Sequence, residues 1–237
     1  MAVDERQRRR EERVAALGDQ GTRIRAIEKR ERPGIFSLLL SDLLRNVYQT
    51  RWRRLATFPA WERPWVILTL ILRFDTLWAC WAYRWKRFYL NWHIPILPRV
   101  IDRFLAVMYQ VQIGDHVYIG PGLYLPHGFV VMDGFVEIGR NPVISPYVTF
   151  GLRNSQAGGF SFIGPCAGDA LWVGTHATLI GDIQLGDHVS IGANSLLIES
   201  LPSYCTAAGS PARIIRQFNR EEIEELMLIQ EIGYQGD

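Results

Sequence analysis

The sequence repeats itself every six residues, and few folds accommodate such a period. Between residues 173 and 202 an aliphatic residue opens each block, and a small residue usually follows it. The opening residues there are Val173, Leu179, Leu185, Ile191 and Leu197. A hexapeptide period is typical of a parallel β-helix, in which six residues supply one short strand and one corner. The pattern therefore predicts a prism of stacked coils rather than a helical bundle or a βαβ sheet.

The same period runs through an earlier part of the chain. Its openers are Ile113, Ile119, Leu125 and Val131, and after a one-residue slip at Glu137 it resumes at Ile138, Ile144 and Phe150. Three blocks close one triangular coil, so residues 18 apart should stack about 4.8 Å from each other. Residue 113 should then lie under residue 131, and residue 173 under residue 191. Residues 152–162 break the period, which predicts a loop pushed outward, and such loops often carry function.

Charge divides the chain into unlike parts, although the formal net charge is only +2. Residues 1–32 carry ten basic and seven acidic side chains, residues 45–103 carry eleven and three, and residues 104–237 carry five and thirteen. The first 32 residues hold no apolar stretch of the kind found in secretion signals. No aromatic residues alternate with their charges, so nucleic-acid binding is not predicted.

Cysteine usage indicates a reducing compartment. Cys80, Cys166 and Cys205 are few and widely spaced. An odd, sparse set of this kind speaks against a disulfide framework and against a zinc site. No metal is therefore expected.

Together these patterns predict an α+β protein in four parts. Residues 1–32 form a charged helical or flexible arm, and residues 33–110 form an α-helical domain. Residues 111–216 form the parallel β-helix with its protruding loop, and residues 217–237 form a C-terminal helix.

The tryptophan-rich residues 65–92 allow two interpretations. Their apolar run is too short to span a bilayer, which takes about 20 apolar residues. Aromatic side chains at helical spacing are usually the core of a helical domain. Alternatively, the region forms an interfacial face on an anionic membrane. That face would consist of Trp78, Trp81, Trp85 and Trp92 with Arg84, Lys86 and Arg87.

Four motifs give the β-helix region a more specific character. They are Ile-Gly-Pro-Gly-Leu-Tyr-Leu-Pro-His at 119–127, Tyr-Val-Thr-Phe-Gly at 147–151, Ile-Gly-Ala-Asn-Ser-Leu-Leu-Ile at 191–198 and Gly-Ser-Pro-Ala-Arg at 209–213. In this order they resemble the hexapeptide-repeat acyltransferases, and within them the serine O-acetyltransferase-like branch that includes exopolysaccharide and colanic-acid acetyltransferases. The resemblance covers roughly residues 70–216.

This resemblance implies a trimer of left-handed β-helices with acetyl-CoA in the groove between neighbouring subunits. His127 falls where the family keeps its catalytic base. An imidazole suits that role, because a side chain with a reference pKa of about 6.5 can take a proton from a hydroxyl near neutral pH. Gly151, Thr175 and Ala193 match positions along which the family lays the pantetheine arm. Arg213 matches a basic residue near the nucleotide end of CoA.

Two departures from the family pattern bear on the acceptor. Serine acetyltransferases carry an aspartate that orients the catalytic histidine, and the matching residue here is Gln112. They also carry a second active-site histidine preceded by an arginine, and the matching residues are Gly164 and Ile163. Loss of the arginine removes the evident partner of an amino-acid carboxylate. The sequence therefore favours acetyl transfer to a hydroxyl of a sugar or polysaccharide precursor.

Other functions stay open on the sequence alone. One is a serine O-acetyltransferase of cysteine biosynthesis, and another is a trimeric scaffold or regulatory protein whose site has decayed. A γ-carbonic anhydrase would need three converging imidazoles, and its His-x4-His pair is absent, since His176 and His188 are 12 residues apart. The chain is expected in the cytoplasm, either free or at the inner face of the membrane, as a homotrimer or a pair of trimers.

Overall fold

A computed structural model describes residues 33–50, 59, 61–73, 75–155, 159–219 and 221–222. The predicted arm at 1–32 and nearly all of the predicted C-terminal helix lie outside the described residues. Within these residues four helices come first: α1 Ile35–Thr50, α2 Arg63–Arg73, α3 Asp75–Asn91 and α4 Leu97–Met108. No described helix combines the length and the apolar run that crossing a bilayer requires.

Sixteen short strands follow the helices in the part of the chain that the structure describes. In chain order they are β1 Val111–Ile113, β2 Tyr118–Ile119, β3 Val130–Met132, β4 Phe135–Ile138, β5 Val143–Ile144, β6 Thr149–Gly151, β7 Asn154–Ser155, β8 Gly159–Phe160, β9 Ile163–Ala167, β10 Trp172–Val173, β11 Thr178–Ile180, β12 Gln184–Leu185, β13 Ser190–Ile191, β14 Leu196–Leu197, β15 Cys205–Gly209 and β16 Ala212–Gln217.

The strands form the three walls of a prism. The first sheet has the order β1-β3-β6-β11-β14, the second β12-β9-β4-β2, and the third β16-β15-β13-β10-β5. Neighbouring strands are parallel, except that β16 folds back antiparallel on β15. Each coil takes one segment from each wall and turns an aliphatic side chain inward. The predicted β-helix is therefore confirmed.

The register agrees with the prediction in the later coils and corrects it in the first. Val173 pairs with Ile191, as the 18-residue spacing predicts. Ile113, however, pairs with Met132 and not with residue 131. The slip assigned to Glu137 is therefore wrong, because Met132, Ile138, Ile144 and Phe150 are all buried at a spacing of six.

The extra residue lies in the corner between Leu125 and Val130. Both flanking side chains are buried, and four residues separate them. The equivalent corner of the next coil, between Ile144 and Val148, has only three residues. The longer corner contains His127, so the repeat is interrupted at the residue of greatest chemical interest.

Helix α3 covers the open end of the prism, where the first coil has backbone groups without a further coil to pair with. The Tyr83 hydroxyl donates to Val117 O and accepts from Ile119 N. Arg84 donates to the carbonyls of Ile119 and Gly120, and Lys86 Nζ donates to Ile113 O at 2.6 Å. These donors satisfy carbonyls that burial would otherwise leave without partners.

This cap contradicts the predicted placement of Arg84 and Lys86 on an interfacial face within residues 65–92. Arg84 and Lys86 are only 2% and 1% exposed. Arg84 is paired with Asp42 of α1 at 2.8 Å, and Lys86 with Asp102 and Asp115. Side chains that are buried in ion pairs cannot face lipid headgroups. The alternative of a purely aromatic core is also incomplete, because Trp78 and Trp92 are exposed.

Candidate active site

His127 is the exposed residue of the four-residue corner, whose other three residues are half-buried. Pro126 precedes it, and Gly128 holds the following backbone against the end of α4. A Cβ at Gly128 would lie 2.9 Å from the Tyr109 carbonyl carbon and closer still to its oxygen, so only glycine fits. Phe129 N then donates to Tyr109 O at 3.0 Å. The corner is thereby fixed on both sides of an exposed imidazole.

A line of stacked rings runs along the prism edge below this corner. Phe129 stacks on Tyr147 with 4.7 Å between ring centroids, and Tyr147 stacks on His176 at 4.5 Å. Asn194 continues the line, because its N–H donates to Thr175 O. All four residues have positive φ, so the corners of successive coils superimpose. His127 lies at the head of this edge.

Thr175 and Ala193, two of the predicted CoA-binding residues, lie on the same edge. Among the described residues, neither the Thr175 N–H nor the Ala193 N–H donates a hydrogen bond. Gly174 and Gly192, just before them, leave no room for a Cβ between coils. The edge therefore offers backbone donors to a ligand that lies along it.

Arg213 is placed at the foot of this edge. It pairs across β15 and β16 with Ala208, and Ala208 Cβ lies directly under Gly192. The guanidinium is exposed and meets Glu199 at 3.1 Å, a surface pair that is worth less than about 1 kcal/mol. The first and fifth coils are about 19 Å apart at four strand spacings, a length that suits an extended chain such as a pantetheine arm.

Gly151 lies elsewhere, at the opposite end of the first-sheet strand β6. A Cβ there would meet only Ile180 Cγ1, at 3.9 Å, so the space above Gly151 is open. The predicted loop begins just after it as an antiparallel hairpin of β7 and β8. At 3.3 Å per residue, the width of the first sheet separates this loop from the His127 edge by about 15 Å. The loop and the His127 edge are therefore separate features of one chain.

Comparison with known proteins identifies the family. No family model matches the chain. Serine acetyltransferase of Staphylococcus aureus strain Mu50 is 30% identical over 151 residues, which cover 63% of this chain and 70% of the relative. The chain belongs to the serine acetyltransferase family. The enzyme of the same name from Synechococcus elongatus is 31% identical over 138 residues, and the matched part spans only about half of that relative (52%).

Solved structures of the family confirm the fold. The soybean serine acetyltransferase apoenzyme superposes with a TM-score of 0.63 at 26% identity, covering 77% of this chain and 69% of that one. The Brucella abortus enzyme in complex with coenzyme A gives 0.62 at 25% identity, covering 77% and 68%. The predicted α+β fold, with its left-handed parallel β-helix, and membership of the hexapeptide-repeat acyltransferases are thereby confirmed.

The two positions that differ from the serine acetyltransferase pattern at the end of the loop are turned inward. Ile163 is fully buried, and a Cβ at Gly164 would lie 2.7 Å from Val136 Cγ2. The pairing of β4 with β9 also shifts by one residue at this point, between Phe135 and Glu137. Neither position can present a long polar side chain to a substrate. Gln112, by contrast, is exposed on the outer face of β1, so a side chain there can reach solvent.

Arg153 is a residue that the sequence reasoning missed. Its stem lies over Gly181, where a Cβ would meet Arg153 Cβ at 3.1 Å and Cδ at 3.3 Å. Among the described residues its guanidinium forms no ion pair. Ser161 N donates to Arg153 O at 3.3 Å, so Arg153 stands across the hairpin from the end of the loop. The signal was available, since Arg153 is the one basic residue in the sequence between Arg140 and Arg213.

Metal binding finds no support among the described residues, which bring together no three histidine, cysteine or acidic side chains. His176 stacks on Tyr147, and His188 stacks on Tyr204 at 5.2 Å. These two histidines therefore belong to different edges of the prism.

Proposed function

We propose that this chain is an acetyl-CoA-dependent O-acetyltransferase in which His127 is the general base. The imidazole takes the proton of an acceptor hydroxyl as the oxygen attacks the thioester carbon, and it returns that proton to the departing thiolate. The observation that carries this proposal is the four-residue corner, where His127 is exposed at the head of an edge on which, among the described residues, the N–H groups of Thr175 and Ala193 donate no hydrogen bond.

The donor lies along that edge in this proposal. The N–H groups of Thr175 and Ala193 donate hydrogen bonds to carbonyl oxygens of the pantetheine arm, and Arg213 favours the phosphates at the far end. Gly151 of the neighbouring copy leaves room for the pantetheine arm, because no side chain blocks the space above it. The complexes of family members with CoA support a CoA donor. Such a donor also favours a cytoplasmic location.

The active unit is a homotrimer, in which the His127 edge of one copy faces the loop of the next. The surface around that edge supports this assembly. Helix α4 exposes an apolar stripe of Val100, Phe104, Val107 and Met108, which ends just before β1. Val131 and Tyr147 are exposed beside it on the prism. Apolar area of this extent next to a catalytic residue is typical of a surface that a partner covers.

L-serine is the first acceptor to test, because the relatives are named serine acetyltransferases. A serine carboxylate requires a cation, and Ile163 cannot supply one. Arg153 replaces it in this proposal, since its guanidinium forms no ion pair among the described residues and its stem lies over Gly181. A charge-assisted pair at a partly exposed site is worth about 1.5–3 kcal/mol, which is roughly 10- to 100-fold in the KM for serine.

A comparison of acceptors tests this assignment. Arg153→Ala should raise the KM for serine about 10-fold or more and leave the KM for serinamide, which lacks the carboxylate charge, nearly unchanged. Arg213→Ala is the matched control and should raise the KM for acetyl-CoA instead. Equal effects of Arg153→Ala on serine and serinamide would remove Arg153 from the acceptor site.

A sugar or polysaccharide-precursor hydroxyl is the second candidate acceptor. The neutral, inward-facing Ile163 and Gly164 favour it, as does Phe162, whose ring is exposed at the end of the loop. CoA release in the presence of a panel of monosaccharides and nucleotide sugars, with serine alongside, separates the two. Faster release with a sugar than with serine would support this candidate, and no release with any acceptor would support the scaffold interpretation.

Mixed trimers test whether two copies share the site. His127→Ala and Arg153→Ala chains, coexpressed in equal amounts, should form some sites that contain both native residues. If chains assemble at random, about one quarter of all sites contain native His127 from one copy and native Arg153 from the next. About one quarter of native activity should therefore return at low serine. Trimers that stay as inactive as the two single variants would show that His127 and Arg153 act within one chain.

A further inference from the structure

Helices α1 and α2 expose a second apolar surface, separate from the His127 edge. It consists of Phe36 and Leu40 on α1, Trp61 in the turn before α2, and Trp65, Leu68 and Leu72 on α2, and we call it the outer helical surface. Phe36 is 77% exposed and Trp65 is 67% exposed. Single exposed apolar residues are ordinary, but six large ones on two helices that both pack on α3 mark an interaction surface.

The packing of the two helices explains why these side chains face outward. On α1, Asp42 and Asn46 are buried against the first coil, where Asp42 accepts from Leu123 N at 2.9 Å. Phe36 and Leu40 lie on the other side of the same helix. Trp81 Nε1 of α3 donates to Leu39 O, and Trp78 Nε1 donates to Ile71 O. Helix α3 thus holds both helices with their apolar stripes turned away from the prism.

The composition of α2 indicates what covers this surface. Trp65, Leu68 and Leu72 are spaced three and four residues apart, so they form one stripe on the helix. Arg63 and Arg73 are its first and last residues. The helix contains no acidic residue between them. A tryptophan- and leucine-bearing stripe between arginines is typical of helices that lie in the interface of an anionic bilayer.

We infer that the outer helical surface binds anionic phospholipid membranes peripherally, with α2 lying in the headgroup region. A second copy of the chain fits less well, because a symmetric contact would bring like-charged arginine borders together. This surface differs from the predicted face, whose basic residues Arg84 and Lys86 are buried. The proposed membrane binding does not depend on the identity of the acceptor or on the catalytic mechanism.

Vesicle co-sedimentation with the full chain tests the inference. Vesicles of phosphatidylcholine mixed with phosphatidylglycerol should bind the protein, binding should weaken as salt is raised, and phosphatidylcholine alone should bind less. The double variant Trp65→Ser with Leu72→Ser should lower the partition coefficient by a factor of about 10 or more, because two large side chains leave the membrane.

Trp92→Ser is the matched control. Trp92 is 68% exposed, nearly the same as Trp65. It lies about 20 Å along α3 from Trp78, which touches α2. This variant should bind vesicles like the native chain, and retained CoA-release activity shows that each variant is folded.

Three results would overturn the inference. The first is absence of binding to anionic vesicles at low salt. The second is equal loss of binding in the Trp92 variant and the double variant. The third is sedimentation showing paired trimers that separate in the double variant, because the surface would then be occupied by a second copy.

Discussion

Gly128→Ala tests whether the corner positions the catalytic imidazole. The added methyl carbon would lie 2.9 Å from the Tyr109 carbonyl carbon and closer to its oxygen. Because non-bonded carbons normally approach to about 3.5–4.0 Å, the corner must move by about 1 Å. A displacement of that size at a catalytic group can reduce the rate about 100-fold. We therefore expect kcat for CoA release to fall by about two orders of magnitude.

The assay should separate misplacement from unfolding. Gly34→Ala is the matched control, because no atom lies within 4 Å of a Cβ at that position. It should leave kcat unchanged, and both variants should retain the circular dichroism of the native chain. A Gly128→Ala enzyme with kcat within threefold of the native value would refute the claim that this corner positions the base.

Three further predictions concern the cap, the histidine and the acid stability. Asp42→Ala leaves buried Arg84 without its carboxylate partner, so the free energy of unfolding, measured by denaturant titration, should fall by about 3–5 kcal/mol. A decrease of less than about 1 kcal/mol would contradict the role of this pair in the cap. Gln112→Asp supplies the orienting carboxylate of the family, and kcat should rise about 10-fold if the side chain reaches His127 Nδ1–H. Burial raises the pKa of Asp169, but hydrogen bonds from Arg140 outweigh it and hold that pKa below its usual range. The stabilisation from the Asp169–Arg140 pair is therefore present above the ordinary carboxyl pKa and is lost as pH falls through the pKa of Asp169 in the folded state. The free energy of unfolding of Asp169→Asn should thus change less with pH on the acid side than that of the native chain.

The sequence pattern was sufficient for the prism but not for its local register. Buried aliphatic residues at a spacing of six are the direct consequence of a triangular coil, so they reveal it reliably. The one-residue slip was assigned to the wrong position because Val131 is as apolar as Met132, and hydropathy does not indicate which of the two side chains points inward. Only the pairing of Ile113 with Met132 locates the extra residue beside His127.

The roles of the charged residues depended on tertiary contacts that the pattern does not contain. Arg84 and Lys86 lie among tryptophans, so in sequence they resemble a membrane face. In the fold they supply donors to the carbonyls at the open end of the first coil. Arg153 is isolated among the charges of the sequence, but its proposed role depends on the position of its stem over Gly181 and on the burial of Ile163.

The most direct measurement of the proposed mechanism is the turnover of His127→Ala beside its affinity for acetyl-CoA. With the true acceptor at saturation, we expect kcat for CoA release to fall by a factor of about 100 or more, because the general base is gone. Calorimetry should show acetyl-CoA binding within about threefold of native, since Thr175, Ala193 and Arg213 remain. Native turnover in the His127→Ala enzyme would contradict the account.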